Sequence, residues 1–538
     1  MSAPAARGES PGVAPNAAGL SPRAASRWTL VATILGSSLT FIDGTVVNVA
    51  LPALQADLQA TITDVQWVIE AYALFLGALI LVGGSMGDQF GRKRVFLFGV
   101  VFFTVASVAC GVATSPGMLI AGRALQGIGA AFLVPGSLAI ISATFDDAER
   151  GRAIGTWSGF SAMTTAIGPV SGGWLVEHVS WRAVFFLNVP LAIIVLVLSL
   201  RFMNESHDPS RTTQIDWSGA ALAVLGLGST VFGLLEWPPL GARHPLVLGA
   251  LAIGVCSLIL LVIVERRAES PMLPLALFRS RPFSFANVLT LLLYAALSVA
   301  FFLAPLNLIQ VQHYTATAAG AALLPFPLIM FALSRWSGGL VARVGSRLPL
   351  TVGPGIAALG LALYTWPGIG GTYWTTFFPA VVVLGFGMAV TVAPLTTTVM
   401  SAVDPRHAGA ASGVNNAVAR VAGLLAIAVF GVVLARTFDE RVRPRLDHLT
   451  LSSHARAEID RQLRKIAGAD VTQVSSIPPP ERRVVRATID EEFVFAFRLV
   501  MFGAAGLALA AAGFGTTIRP SLTDRKELHG AGWLIRLV

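Results

Sequence analysis

The sequence predicts an all-α polytopic membrane protein, with two six-helix bundles plus two inserted transmembrane helices, fourteen spans in all. Three observations predict it. Of 538 residues, 54% are hydrophobic and only 12% charged, where soluble domains carry about 25% charged residues. Fourteen mostly apolar stretches, nearly all about twenty residues or longer, follow one another between short polar segments, and that length crosses a bilayer as a helix. The cations of the short segments fall almost wholly on alternate connections, the signature of loops held on the inner side of a membrane.

The same composition excludes several function classes. The net charge of +9 sits in loops and tails, so topology accounts for it and no nucleic-acid partner is expected. Cys110 and Cys256 fall inside apolar spans and read as packing residues. Lysine occurs only at 93, 465 and 526, none after a G-x-x-x-x-G frame, which rules out a phosphate-cradling loop of the Walker type. No metal-ligand cluster and no nucleophile–base pair stands out, so no metal site, no cofactor and no enzyme activity are expected.

Taken in order, residues 1–27 are rich in Ala, Pro, Ser and Gly without an apolar core; they read as a disordered cytoplasmic tail. The spans then fall at about 28–52, 66–86, 95–114, 118–144, 152–175, 183–203, 217–236, 245–265, 283–309, 317–342, 348–368, 374–400, 409–435 and 493–516. Residues 28–203 make the N-terminal bundle, 204–282 the inserted pair with its flanking cytoplasmic loops, and 283–516 the C-terminal bundle, with 517–538 a second cytoplasmic tail. Short loops after odd-numbered spans hold Arg182 and Arg243 and no other cation, which puts both termini in the cytoplasm. Residues 436–492 break the charge rule; they read as a small helical or partly disordered external loop, balanced by Asp439, Glu440, Asp447, Glu458 and Asp460.

The second span ends in Gly84-Ser85-Met86-Gly87-Asp88-Gln89-Phe90-Gly91-Arg92-Lys93-Arg94. This stretch resembles the G-x-L-a-D-r-x-G-R-r/k motif of the major facilitator superfamily, with Met86 where Leu is usual. Gly338 to Arg347 repeats it after the tenth span, with Ala342 in place of the Asp. In the first span, Asp43-Gly44-Thr45-Val46-Val47-Asn48-Val49-Ala50-Leu51-Pro52 resembles the l-D-x-T-I-V-N-V-A-L-P motif of that family's fourteen-span drug:proton antiporters. Arg123-Ala124-Leu125-Gln126-Gly127-Ile128-Gly129 in the fourth span resembles R-x-x-Q-G-x-G. Thr164 to Gly173 in the fifth is similar to the antiporter g-x-x-x-G-P-x-x-G-G, with Thr164 in the leading Gly position. Trp181, Arg182, Asn188 and Pro190 fit the segment that follows. The resemblance implies the major facilitator fold, alternating access and export from the inner (cell) membrane. Its partners are protons, the lipid bilayer and a small-molecule substrate of amphipathic or cationic kind, with accessory proteins where a second membrane must be crossed.

Ionisable groups inside spans are costly and mark function. Asp43 lies roughly 13 Å from the outer end of its span. A carboxylate stranded there costs about 2.5–3.5 kcal/mol on insertion scales, and binding a proton removes that cost, so Asp43 is the candidate proton carrier. Arg123 lies at a depth between Asp43 and Glu70 and needs an anionic or carbonyl partner; either acid could serve. Glu70, about one turn inside the second span, is either a water-facing interfacial residue or a second titrating group coupled to Asp43. The Gly84, Asp88, Gly91 and Arg92 cluster and the Gly168, Pro169, Gly172 and Gly173 cluster are candidates for the conformational switch. Asp88 is expected to link the two bundles on the cytoplasmic side. Phe41, Trp67, Tyr72, Gln126, Asn287, Tyr294 and Asn307 are candidates to line the substrate cavity, with an aromatic belt or helix–helix hydrogen bonds as the alternative for most of them. Three functions remain open: a proton-coupled drug exporter, an exporter dedicated to one endogenous metabolite, lipid or siderophore, and a non-transporting sensor on the same fold.

Overall fold

The structure, a computed structural model, describes residues 22–518 apart from 146, 207–215, 269–270, 272, 404–407, 449–451, 472–473, 475–476 and 478. The predicted tails lie outside these residues, save 22–27 and 517–518. The described residues form helices and no strand. Fourteen long helical segments stand where the spans were expected. They are α1 Pro22–Asp57, α2 Ile62–Phe90, α3 Arg92–Gly111, α4 Pro116–Thr144, α5 Asp147–His178, α6 Ala183–Phe202, α7 Trp217–Leu235 and α8 Pro245–Arg267. There follow α9 Arg281–Val311, α10 from Ala316–Ala322 and Pro325–Gly338, α11 Arg347–Leu363, α12 Phe377–Ser401, α13 Ala408–Asp447 and α14 Pro479–Thr517. Twelve segments among the described residues are long and apolar enough to cross a membrane by length and composition. The two outside that number are α11, apolar but 17 residues long, and the Gly- and Thr-rich α5.

Helices α1 to α6 pack on one another, as do α9 to α14. The inserted α7 and α8 pack mainly on each other, and α7 alone reaches α2 and α13. Helix α8 therefore leaves Leu246, Leu248, Ile253, Val255 and Ile259 exposed, a surface suited to lipid. The two halves meet along three seams: α2 on α13, α5 on α10, and α1 on α9. In the α5–α10 seam there is no room for a side chain. A Cβ on Gly173 would lie 2.7 Å from the Ala316 carbonyl carbon, and one on Gly320 would lie 2.6 Å from that of Pro169.

Several boundaries differ from the sequence reading, and at the start of α1 residues 22–27, expected to end a disordered tail, are helical. Helix α2 starts at Ile62, four residues before the expected span, because Thr61 and Asp64 form a reciprocal capping box. Their polarity reads as loop in a hydropathy scan. Helices α13 and α14 run on into the stretch expected to be an external loop, as far as Asp447 and from Pro479. Salt bridges between the two extensions hold them together: Arg441 and Arg445 both engage Glu492, and Arg445 reaches Glu491 at 2.7 Å. The remaining piece carries the short helix Ser453–Leu463 and lies over one end of the bundle as a cap.

That cap ties the halves together. The Arg464 carbonyl accepts from Ile62 N at 3.1 Å, and the Lys465 carbonyl accepts from Gln55 Nε2 at 3.2 Å, both from the N-terminal half. Lys465 Nζ donates to Gln59 Oε1 at 2.5 Å. From the C-terminal half, Arg486 donates to the carbonyls of Ala467, Ala469 and Gln310. Gln310 in turn donates to Gln55 at 2.7 Å, a direct bond between α9 and α1.

Candidate functional site

Inside the N-terminal half, five helices each point a polar group at one spot. Asp43 of α1 is fully buried, and so is Arg123 of α4 at 1% exposure. Arg123 Nη1 donates to Asp43 Oδ2 at 2.5 Å, and Gln126 Nε2 donates to Asp43 Oδ1 at 2.7 Å. Asn188 of α6 adds a weaker donor to Oδ1 at 3.3 Å. Arg123 and Gln126 stand three residues apart on one helix, the spacing that puts two side chains on one face. Gln126 Oε1 also accepts from Arg123 at 2.6 Å, so the amide bridges both members of the ion pair. Ser107 of α3 accepts from Gln126 and Asn188 and donates to the Phe185 carbonyl at 2.9 Å. Arg123 Nε is satisfied by the Val68 carbonyl of α2 at 3.0 Å, and its guanidinium lies 4.2 Å over the Tyr72 ring.

This arrangement compensates a buried charge pair in the way such pairs require, with two further donors on the carboxylate oxygen that Arg123 does not engage. It also carries a latent change. Asn188 Oδ1 is buried and makes no hydrogen bond among the described residues. If Asp43 takes a proton, its new O–H needs an acceptor, and a turn of the Asn188 amide supplies one.

The structure resolves which acid serves Arg123: Asp43 does. Glu70 is neither water-facing nor paired with Arg123. Its side chain is fully buried and both oxygens lack a hydrogen-bond partner among the described residues. The early start of α2 places it about two turns inside the helix, deeper than the sequence reading had it. Tyr72 is buried beneath the guanidinium, and Gln126 belongs to the ion-pair network. Phe41 packs edge-on to Trp157 at 6.2 Å, and Trp67 tilts against Phe232 of α7 at 6.3 Å. Asn287 accepts from Asn415 of α13 at 3.1 Å, and Asn307 accepts from Gln312. Tyr294 packs against the core of the C-terminal half. Ser107 was missed altogether, and Asn188 was seen only as part of a motif; a single small polar residue in an apolar run gives no directional signal.

The two glycine clusters occupy distinct places. Arg92 grips Asp88 through Nε and Nη2 at 2.9 and 2.8 Å, and its Nη1 reaches the Ala139 carbonyl of α4. These bonds hold α2, α3 and α4 of one half together. Gly91 has φ +105°, and a Cβ there would meet the Glu205 carboxylate carbon at 2.8 Å. Glu205 accepts from the Lys93 and Arg94 amides. Gly84 approaches Pro135 of α4. In the second cluster, a Cβ at Gly168 or Gly172 would strike Thr45 or Val46 of α1, while Gly173 and Pro169 face α10. Helix α5 thus rests on the Asp43 helix by one face and on the opposite half by the other.

A family model described as Major Facilitator Superfamily matches residues 33–427. The chain is 34% identical over 435 residues to "Multidrug resistance protein Stp" of Mycobacterium tuberculosis (strain CDC 1551 / Oshkosh), covering 80% of each chain. It is 32% identical over 507 residues to "Tetracenomycin C resistance and export protein" of Streptomyces glaucescens, covering 93% of this chain and 92% of that one. Among solved structures, a bacterial homologue of the human lysosomal transporter Spinster, in an inward-facing and unoccupied conformation, superposes with a TM-score of 0.64 at 17% identity, over 93% of this chain and 99% of that one.

Proposed function

Since the chain belongs to the major facilitator superfamily, we propose that it is a proton-coupled exporter of drugs or other amphipathic small molecules, working by alternating access. The observation that carries this reading is the Asp43–Arg123 pair, buried among Gln126, Asn188 and Ser107. A carboxylate so placed exchanges one proton for one positive charge nearby: it is ionised against Arg123, and it becomes neutral when a proton arrives and the arginine is freed. One charge crossing about 100 mV releases about 2.3 kcal/mol, so proton entry through such a site supplies the work of outward transport. The cap end of the bundle is read as external and the Arg92 end, where α1 begins and α14 ends, as cytoplasmic. The relatives named for multidrug resistance and for resistance and export support the direction.

The test is proton flux. Purified protein in liposomes holding a pH-sensitive dye is challenged with a panel of cationic, neutral and anionic drugs. Wild type is expected to move protons out of the lumen as a subset of the panel enters, making the lumen more alkaline, and Asp43→Asn to do so with none, while both remain monodisperse and equally stable. Undiminished drug-dependent flux from Asp43→Asn removes the proposed carrier. A second reading, export of one endogenous metabolite, is favoured by the near full-length match to the tetracenomycin C relative. A panel answered by a single chemical class selects it.

A further inference from the structure

The Asp43 network leaves one buried charge-bearing group unused. Glu70 is fully buried, yet neither of its oxygens has a hydrogen-bond partner among the described residues. Its position explains what such a group could be for. On α2, Gln66 and Gly77 both touch α13 of the other half. Gln66 Nε2 donates to the Ile427 carbonyl at 3.4 Å, and a Cβ on Gly77 would lie 3.3 Å from Arg420 Cβ. Residues 66, 70 and 77 fall within about 40° of one another around a helix of 3.6 residues per turn. Glu70 therefore lies on the face that closes the seam, between the two crossing points. The neighbouring lining is apolar: Leu74 of α2, Leu424 and Ala428 of α13, and Leu227 and Val231 of α7.

Among the described residues no charge answers it. From α4, Arg123 is committed to Asp43, Gln126 and the Val68 carbonyl. From α13, Arg420 stands beside Gly77, nearly two turns further along α2. On its own helix Asp64 is held in the capping box, and Glu236 closes α7 nearer the cap. None of these forms an ion pair with Glu70. An ionised carboxylate sealed into an apolar seam without a donor costs several kcal/mol. A neutral carboxylic acid fits there, and its O–H can turn to the carbonyl one helical turn back, the route that Ser and Thr take in helices.

We propose that Glu70 is a second proton-binding site, distinct from Asp43, whose occupancy latches the α2–α13 seam: proton on, seam shut at the cap end; proton off, seam open to water. It rests on the alternating-access reading above and adds to it the group that times the return stroke. The physical logic is linkage. If the shut seam admits only the protonated acid, the proton and the shut seam favour each other by the same factor. The proton binds Glu70 while the seam is open to the cap side. The carboxyl is then neutral, the seam closes without trapping a charge, and Gln55–Gln310 and the cap bonds re-form. Asp43 needs no such step, since donors already satisfy both of its oxygens.

The experiment reads the seam without any substrate. Nitroxide labels are placed through Val179→Cys and Trp374→Cys, both exposed residues at the cap end, one in each half. The background is Cys256→Ser, because Cys256 is the exposed native thiol. The full-length protein in lipid nanodiscs is measured by pulsed electron–electron double resonance between about pH 6 and about pH 9, a range over which one linked proton changes an equilibrium by up to about tenfold per unit. Wild type is expected to gain a longer-distance population at least fivefold as pH rises, by the same one-proton linkage. Glu70→Gln is expected to hold the short distance throughout. Glu70→Leu, an apolar replacement, does the same and guards against a local defect of the amide. Glu70→Asp keeps the dependence, and so does Asp43→Asn. A pH response in Glu70→Gln and Glu70→Leu equal to that of wild type overturns the proposal. So does a wild-type distance that ignores pH in protein that still pumps. A protein whose seam responds to pH through Glu70 but that moves no protons with any drug would leave this inference standing and remove the exporter reading.

Discussion

The seam between α5 and α10 gives the most direct mechanical test. Gly173 and Gly320 form a reciprocal contact, each pressed on the other helix's backbone. A methyl on Gly173 would stand 2.7 Å from both the Ala316 carbonyl carbon and Thr317 Cα; one on Gly320 would stand 2.6 Å from the Pro169 carbonyl carbon. Carbon atoms settle at about 3.5–4.0 Å, so the helices must part by about 1 Å. Neither obstacle is a side chain that can rotate away. Overpacking of this kind costs about 1–3 kcal/mol, and the cost falls only on the state in which the seam is closed. Gly173→Ala should therefore shift the equilibrium away from that state by about fivefold to 150-fold. Transport slows, and the label pair 179/374 lengthens at every pH. Gly172→Ala is the contrast: its methyl would strike Val46 of α1, within one half, so it lowers thermal stability without opening the seam. Gly249→Ala, with nothing within 4 Å, is the silent control. Gly173→Ala with wild-type transport and an unchanged distance distribution would refute the reasoning.

Two further outcomes concern the cap. Gln55→Ala removes the bonds to Gln310 and to the Lys465 carbonyl, a loss of about 1–3 kcal/mol at about 0.5–1.5 each. Amide hydrogen exchange over 452–471 should quicken accordingly, whereas an unchanged rate would mean the cap docks without α1. Burial pushes the Lys465 ammonium below the ordinary lysine range, with Asp470 pulling the other way. The docked cap thus binds that proton less well than the free one. The resulting penalty is present at neutral pH and fades as pH rises through the lowered value toward the ordinary one, so docking tightens on going alkaline. Lys465→Met should flatten that trend in the same exchange experiment, and a trend that persists would assign it elsewhere.

Much of the architecture was legible because bilayer physics writes itself into composition. Fourteen apolar stretches, cations on alternate loops and glycine-rich motifs sufficed to place the helices, and the helices stand there. What failed did so for identifiable reasons. A hydropathy scan gives the depth of a residue but not its azimuth. Asp43 and Glu70 therefore looked like rival partners for Arg123, though they face different neighbours. Charge-rich sequence reads as loop, so the ends of α13 and α14 were cut short where Arg441, Arg445, Glu491 and Glu492 in fact pair across two helices. Thr61 and Asp64 hid the start of α2 in the same way.

The distribution of polar groups gives the two halves different work. In the N-terminal half a carboxylate, a guanidinium, two amides and a hydroxyl share one buried network. In the C-terminal half the described ion pairs with buried acids, Arg441 and Arg445 with Glu492 and Arg486 with Asp490, lie towards the cap, while deeper in the bundle Asn415 meets Asn287 and Thr290. On the proposed reading the charge change takes place at Asp43, in one half, and the other half responds through contact. The contacts able to carry the response are the three seams. Helix α5 touches the Asp43 helix through Gly168 and Gly172 and the far half through Gly173, so a shift of α1 reaches α10 through one rigid element. Helix α2 carries Val68 and Tyr72 against Arg123 on one face and Gln66 against α13 on another, with Glu70 one turn along from Gln66. If Arg123 is released when Asp43 binds a proton, its hold on the Val68 carbonyl changes, two residues from Glu70. The two acids are then coupled through a helix and not through space, and the order in which they load sets the direction of the cycle.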